Sequence, residues 1–174
     1  GLLVSGGSMA NFVGLVVAVI LHEISHGVVA LWFGDDTAKK AGRLTLNPVP
    51  HIDPIGSVVI PLMSLAVSGR VFIAWAKPVP VDFRYLKQPR RDFMIIAAAG
   101  PASNLGLAVF AAVVLQFTPL GLGGDGINVA APVAVIALKV VQVNVLLALF
   151  NMIPVPPLDG GNVLGGLLPP HLAD

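Results

Sequence analysis

The chain holds a single glutamate, Glu23, and it lies inside an apolar run from about Met9 to Phe33, framed as His22-Glu23-Ile24-Ser25-His26. An ionised carboxylate and two imidazoles cost several kcal/mol to hold in a hydrocarbon environment, so a run of this kind needs something that compensates all three. A bound metal does so. Residues four apart project from one face of a helix, so His22 and His26 can grip one zinc ion, with Glu23 beside the first ligand as acid/base. A pair of ordinary histidines on a core helix is the competing reading.

Composition sets the surroundings. Hydrophobic residues make up 56% of the chain and charged residues 11%, against about 25% charged in a typical soluble domain. That is the profile of an integral membrane protein. The chain has no cysteine, which excludes disulfides and thiolate ligands and leaves His, Asp and Glu to hold a metal. A net charge of +1 argues against a nucleic-acid partner. No basic residue precedes the first apolar run, and the run carries the His-Glu-His chemistry, so it reads as a retained span rather than a cleaved leader.

A helix needs about 20 apolar residues to cross a bilayer. Spans are expected at about 9–33, 93–117 and 133–168, the last being helical to Asn151, where Pro154, Pro156 and Pro157 break it ahead of Leu158-Asp159-Gly160. The stretch from Ile55 to Val67 is too short to span and reads as re-entrant. Loops rich in Lys and Arg stay in the cytoplasm. Lys39, Lys40 and Arg43 follow the first span, and six basic residues lie between Gly69 and Asp92, whereas Thr118–Pro132 has none. Both loops flanking 55–67 are thus expected on the cytoplasmic side. Lys139, the one cation inside an apolar stretch, is expected to snorkel to the outer interface.

His22 sits about 18 Å along its span, and a third span entered near Val140 leaves Asp159 in the inner half of the bilayer. The two can meet in depth. Asp159 is therefore the expected third ligand, since catalytic zinc takes three protein ligands and keeps one position open. His51 and Asp53 compete for that role, but Asn47-Pro48 and Asp53-Pro54 read as turn chemistry. His171 is expected to be solvated.

Taken together, His22-Glu23-Ile24-Ser25-His26, Gly100-Pro101-Ala102-Ser103-Asn104 and Asn151-Met152-Ile153-Pro154-Val155-Pro156-Pro157-Leu158-Asp159-Gly160-Gly161 resemble, in this order, the site-2 protease family of intramembrane zinc metalloproteases. The resemblance covers about Met9 to Leu168. It implies one Zn2+ per chain on His22, His26 and Asp159, with Glu23 as catalytic acid/base. The segments 42–56 and 76–81 look like the compact subfamily that lacks a PDZ module, while Ile55–Val67 is an insertion relative to the minimal three-helix core.

The expected fold is accordingly an all-α integral membrane protein forming one domain, with a three-helix catalytic core, a re-entrant segment and a short cytoplasmic-side β element. Asn151 is the candidate for oxyanion or substrate contact, whereas Asn104 and Asn144 read as interhelical hydrogen bonders. Arg43-Leu44-Thr45-Leu46 alternates polar with apolar, and Lys77-Pro78-Val79-Pro80-Val81 carries edge prolines, so the two together form the expected substrate strand. The expected partners are the lipid bilayer and a single-span membrane protein as substrate, in a bacterial or archaeal cytoplasmic membrane, and nothing in the sequence sets the oligomeric state. A zinc or proton-coupled transporter is the alternative, disfavoured because no internal repeat accompanies the one clustered site.

Overall fold

The computed structural model describes residues 6–68, 75–118, 121–123, 126–128 and 132–169. Helix α1 (Gly6–Trp32) carries the His-Glu-His run and is followed by the single turn α2 (Thr37–Lys40). Between them the fully buried Asp35 accepts hydrogen bonds from the backbone N–H groups of Thr37 (2.9 Å) and Asp82 (2.8 Å). One carboxylate thus ties the end of α1 to the chain that leads into the next long helix.

Asp53 caps a π-helical turn, Pro54–Val59, by accepting from Ile55 (2.9 Å) and Gly56 (2.6 Å), and the turn continues as α3 (Ile60–Ser68). Pro54–Val67 forms an apolar helix shorter than a span, as its length required. Helix α4 (Pro89–Phe117) starts four residues before the expected Phe93, because Pro89 suits a first helical position and Asp92 accepts from Gln88 N–H at 2.9 Å. Two antiparallel strands of three residues each, β1 (Gly121–Gly123) and β2 (Gly126–Asn128), lie between α4 and α5 (Pro132–Asn151). The expected third span is two helices. Prolines 154, 156 and 157 interrupt it, and α6 (Asp159–Leu167) resumes at the aspartate.

Helices α1, α4 and α5 are each long and apolar enough to cross a membrane. Helix α4 is the hub and packs against α1, α5 and α6. Its buried face, Ile96, Ala97, Gly100, Pro101, Asn104, Ala108 and Ala111, follows helical spacing. Ala18 and Ala30 on α1 and Ala134, Ala137 and Ala148 on α5 are buried as well. Small residues at these contacts let the backbones approach, which is how helices associate where lipid supplies no hydrophobic drive. Large apolar side chains face outward instead: Val109, Phe110 and Phe117 on α4, Ile136, Leu146 and Leu149 on α5. Among the described residues the expected β element forms no ladder. Residues 44–46 bend, and it is the Arg43 side chain, not a backbone N–H, that takes the Lys77 carbonyl.

Candidate metal centre

Four-residue spacing on α1 turns His22 and His26 to the same side, toward α4, and both are buried. Each is held by its far ring nitrogen. His26 Nδ1 lies 2.7 Å from the Ile96 carbonyl, so it must carry the proton and donate. His22 Nδ1 lies 2.6 Å from Asn104 Oδ1. The direction of that second bond is set two residues away. Asn144 Nδ2 donates to the Val140 carbonyl (2.9 Å), which turns its Oδ1 to accept from Asn104 Nδ2 (2.8 Å) and leaves Asn104 Oδ1 to accept from His22. A main-chain carbonyl of α5 therefore dictates the tautomer of a histidine on α1. Asn104 and Asn144 are interhelical bonders as expected, and Asn104 also orients a ligand.

With both Nδ1 atoms donating, each ring in the neutral form that binds metal presents a bare Nε2 lone pair. These lie 3.1 Å apart, and Asp159 Oδ2 sits 3.0 Å from one and 3.4 Å from the other. Asp159 Oδ2 is buried and receives no hydrogen bond. Three such lone pairs converging on one point suit a cation held between them. Tetrahedral zinc with bonds of roughly 2.0–2.1 Å separates its ligand atoms by about 3.3 Å, and the triangle found here has that size. The residues fit zinc. His22, His26 and Asp159 form the one such group among the described residues.

Space for the ion comes from Gly100, where a methyl group would fall 2.5 Å from the Nε2 atoms of both histidines. Asp159 is aimed by its turn. Gly160 and Gly161 press against the backbone of residues 152–156, where side chains would collide, and at the far end of α6 the Arg90 guanidinium donates twice to the Gly165 carbonyl (3.0 and 2.7 Å). His51 and Asp53 are engaged elsewhere. His51 Nε2 is 2.9 Å from the Thr45 carbonyl, and Asp53 is the cap already described. His171 lies outside the described residues.

Glu23, half-buried, lines a cavity of about 640 Å³ together with all three ligands. Trp75, Val79, Phe93 and Phe150 form apolar wall, and Asn151 and Asn162 are its amides. Asn151 Nδ2 donates back to the Leu147 carbonyl at 2.9 Å, so one of its N–H groups serves its own helix beside the proline break. Sequence reasoning missed Asn162. The available signal was its place three residues after Asp159, on the same face of α6. Arg43, singled out as a strand residue, is buried with its guanidinium on the Lys77 carbonyl. Burial lowers its pKa, with the nearby Glu23 acting the other way.

This arrangement, a His-Glu-x-x-His helix and an aspartate delivered by a broken helix within a membrane bundle, is that of the site-2 type of zinc peptidase. The model of Peptidase family M50 matches residues 10–138, and the chain belongs to that family. It is 41% identical to YwhC of Bacillus subtilis over 162 residues, covering 90% of this chain and 68% of that protein. Rip2 of Mycolicibacterium smegmatis is 33% identical over 162 residues, covering 91% of this chain and 56% of its own length. Zinc metalloprotease MJ0392 of Methanocaldococcus jannaschii is 26% identical over 157 residues, 90% of this chain and 34% of that protein. The chain thus spans little more than half the length of the mycobacterial relative. No solved structure matches.

Proposed function

We propose that the chain is an intramembrane zinc metalloprotease, which hydrolyses a peptide bond within or near the transmembrane segment of a membrane-anchored substrate in regulated intramembrane proteolysis. The convergence of His22 Nε2, His26 Nε2 and the orphaned Asp159 Oδ2 on one point carries this reading. Zinc bound there supplies a Lewis acid that polarises a carbonyl and makes water acidic enough to attack near neutral pH. Glu23 takes the proton of the attacking water and returns it to the departing amine. Asn104 and the Ile96 carbonyl keep the two imidazoles from rotating during the reaction. The apolar wall excludes bulk water from the cavity, and Asn151 offers an amide to substrate.

Substrate must arrive unwound, because an intact helix engages its own carbonyls. The stretch 75–81, five of whose residues line the cavity, receives it as an added strand. The 54–67 helix dips into the bilayer from the cytoplasmic side and returns, and the whole chain works as one domain in a bacterial or archaeal cytoplasmic membrane. Glu23→Gln tests the chemistry. Purified protein incubated with a labelled single-span peptide should cut it, a zinc chelator should abolish cutting, and Glu23→Gln should keep about one zinc per chain while losing about 10²–10⁴ in rate. Full turnover by Glu23→Gln would end the assignment.

A further inference from the structure

Among the described residues, the segment that begins at Trp75 is bonded along one edge and open along the other. Trp75 N–H donates to the Gly56 carbonyl (3.2 Å) and Lys77 N–H to the His51 carbonyl (2.9 Å). The Trp75 carbonyl accepts from Ser57 Oγ (2.8 Å), and the Lys77 carbonyl accepts from the buried Arg43 guanidinium. All four polar groups of residues 75 and 77 thus turn toward the 43–57 loop. In an extended chain the backbone groups of the residue between them face the opposite way. Among the described residues, neither the N–H nor the carbonyl of Ala76 has a partner, and Ala76 lines the cavity that holds Glu23.

Prolines make this edge one-sided. Pro78 and Pro80 share the phase of Ala76 but have no N–H to give, and the alternation that turns Trp75 and Lys77 to the loop turns Val79 the same way. Of this edge Ala76 and Pro78 line the cavity, so it presents there one donor, Ala76 N–H, and acceptors at Ala76 and Pro78. We propose that Ala76 is the register-setting residue for substrate: an extended, membrane-anchored peptide exchanges a pair of backbone hydrogen bonds with it and offers only N–H groups beyond. This rests on the protease reading and deepens it. The occupant is a peptide strand because the open groups are main-chain groups at strand spacing beside Glu23. A substrate residue that lacks its N–H opposite Ala76 or Pro78 is rejected, while its neighbours, pointing away, tolerate the loss. The same prolines keep the unoccupied edge from pairing with other strands. Arg43, His51 and Ser57 are positioning residues, which hold the strand from behind and touch no substrate.

The test uses the only Trp-Ala dipeptide in the chain, Trp75-Ala76. Protein carrying Glu23→Gln, labelled with carbonyl ¹³C in Trp and ¹⁵N in Ala, gives one correlated signal for the Ala76 amide. Titration with a panel of single-span peptides of about 25 residues, each with a Gly-Ser-rich central stretch, should move that signal downfield and slow its hydrogen exchange at least 10-fold as peptide binds, read by anisotropy. In the active protein Ala76→Pro should lower kcat/KM for a cut peptide on the order of 10-fold or more relative to Ala76→Ser, with zinc content unchanged. N-methylation scanned along that peptide should abolish cutting at alternate positions. A peptide that binds or is cut without moving the Ala76 signal, together with full activity of Ala76→Pro, overturns the register and leaves the protease reading standing. A shifted signal with no cutting by the Glu23 protein retains the strand and overturns the protease reading. Failure of the whole panel to bind overturns both.

Discussion

A methyl group at Gly100 sets helix stability against metal binding. Alanine in a helix interior is favoured over glycine by about 1 kcal/mol, which offsets part of the roughly 1–3 kcal/mol that an extra methyl costs in a packed interior, so the metal-free Gly100→Ala protein should lie within about 2 kcal/mol of the parent. The site tells against it. The new carbon would fall 2.5 Å from Nε2 of His22 and of His26, where ordinary contact begins at 3.4 Å, so each ring must retreat by the difference, about 0.9 Å. Neither ring swings freely, since their far nitrogens are held at 2.6 and 2.7 Å. Metal sites tolerate roughly 0.2 Å in a ligand distance. Gly100→Ala should therefore lose at least 100-fold in zinc affinity, measured by competition with a chelator of known affinity, while thermal melting of the metal-free forms shows a folded protein with only a modest loss. Zinc binding of parental strength in Gly100→Ala would refute the placement of the ion against α4.

Asp159→Ala should deplete zinc as His22→Ala and His26→Ala do, whereas His51→Ala and Asp53→Ala should keep it; mass spectrometry of the metal content reads all five. Asn104→Ala removes the acceptor for His22 and should weaken zinc about 10–100-fold. Asn104→Asp still accepts from His22 Nδ1 but cannot donate to Asn144, so its zinc affinity should stay near the parent's while its melting temperature falls. With no native cysteine, Thr37→Cys and Gln88→Cys should label with an impermeant thiol reagent only after cells are opened, and Gly123→Cys should label from outside. Thr37→Cys and Gln88→Cys reacting on opposite sides would make 54–67 a full span.

The candidate site was legible because its residue types are rare in hydrocarbon: one glutamate, two histidines at helical spacing, and one aspartate where prolines stop a helix. Chemistry narrows such residues to few roles. The bundle was legible from span length, and α3 from its brevity. The start of α4 was not, since it depends on Asp92 reaching back to Gln88. Nor was the path of the chain between residues 43 and 77. Alternation in Arg43–Leu46 suggested a strand, yet pattern alone cannot show that residues 44–46 bend and that Arg43 reaches the Lys77 carbonyl through its side chain. Asn104 was readable as a bonding residue but not as the one under His22, because helix rotation is settled by packing.

That rotation follows one ridge. On α4 the residues Ile96, Gly100 and Asn104 recur every fourth position, and so do Ala18, His22 and His26 on α1. The two rows run in opposite directions. The Ile96 carbonyl meets His26, Gly100 sits against both Nε2 atoms, and Asn104 holds His22 and approaches the Ala18 carbonyl at 3.5 Å. One alignment of the helices therefore orients both imidazoles and opens the space between them. A residue inserted into α4 between Ile96 and Gly100 would turn one half of that row by about 100° against the other. His26 could then keep its carbonyl, or His22 its asparagine, but not both. Residues on the outward face, such as Val109 and Phe110, reach none of these groups, so the metal centre should be insensitive to apolar exchanges there.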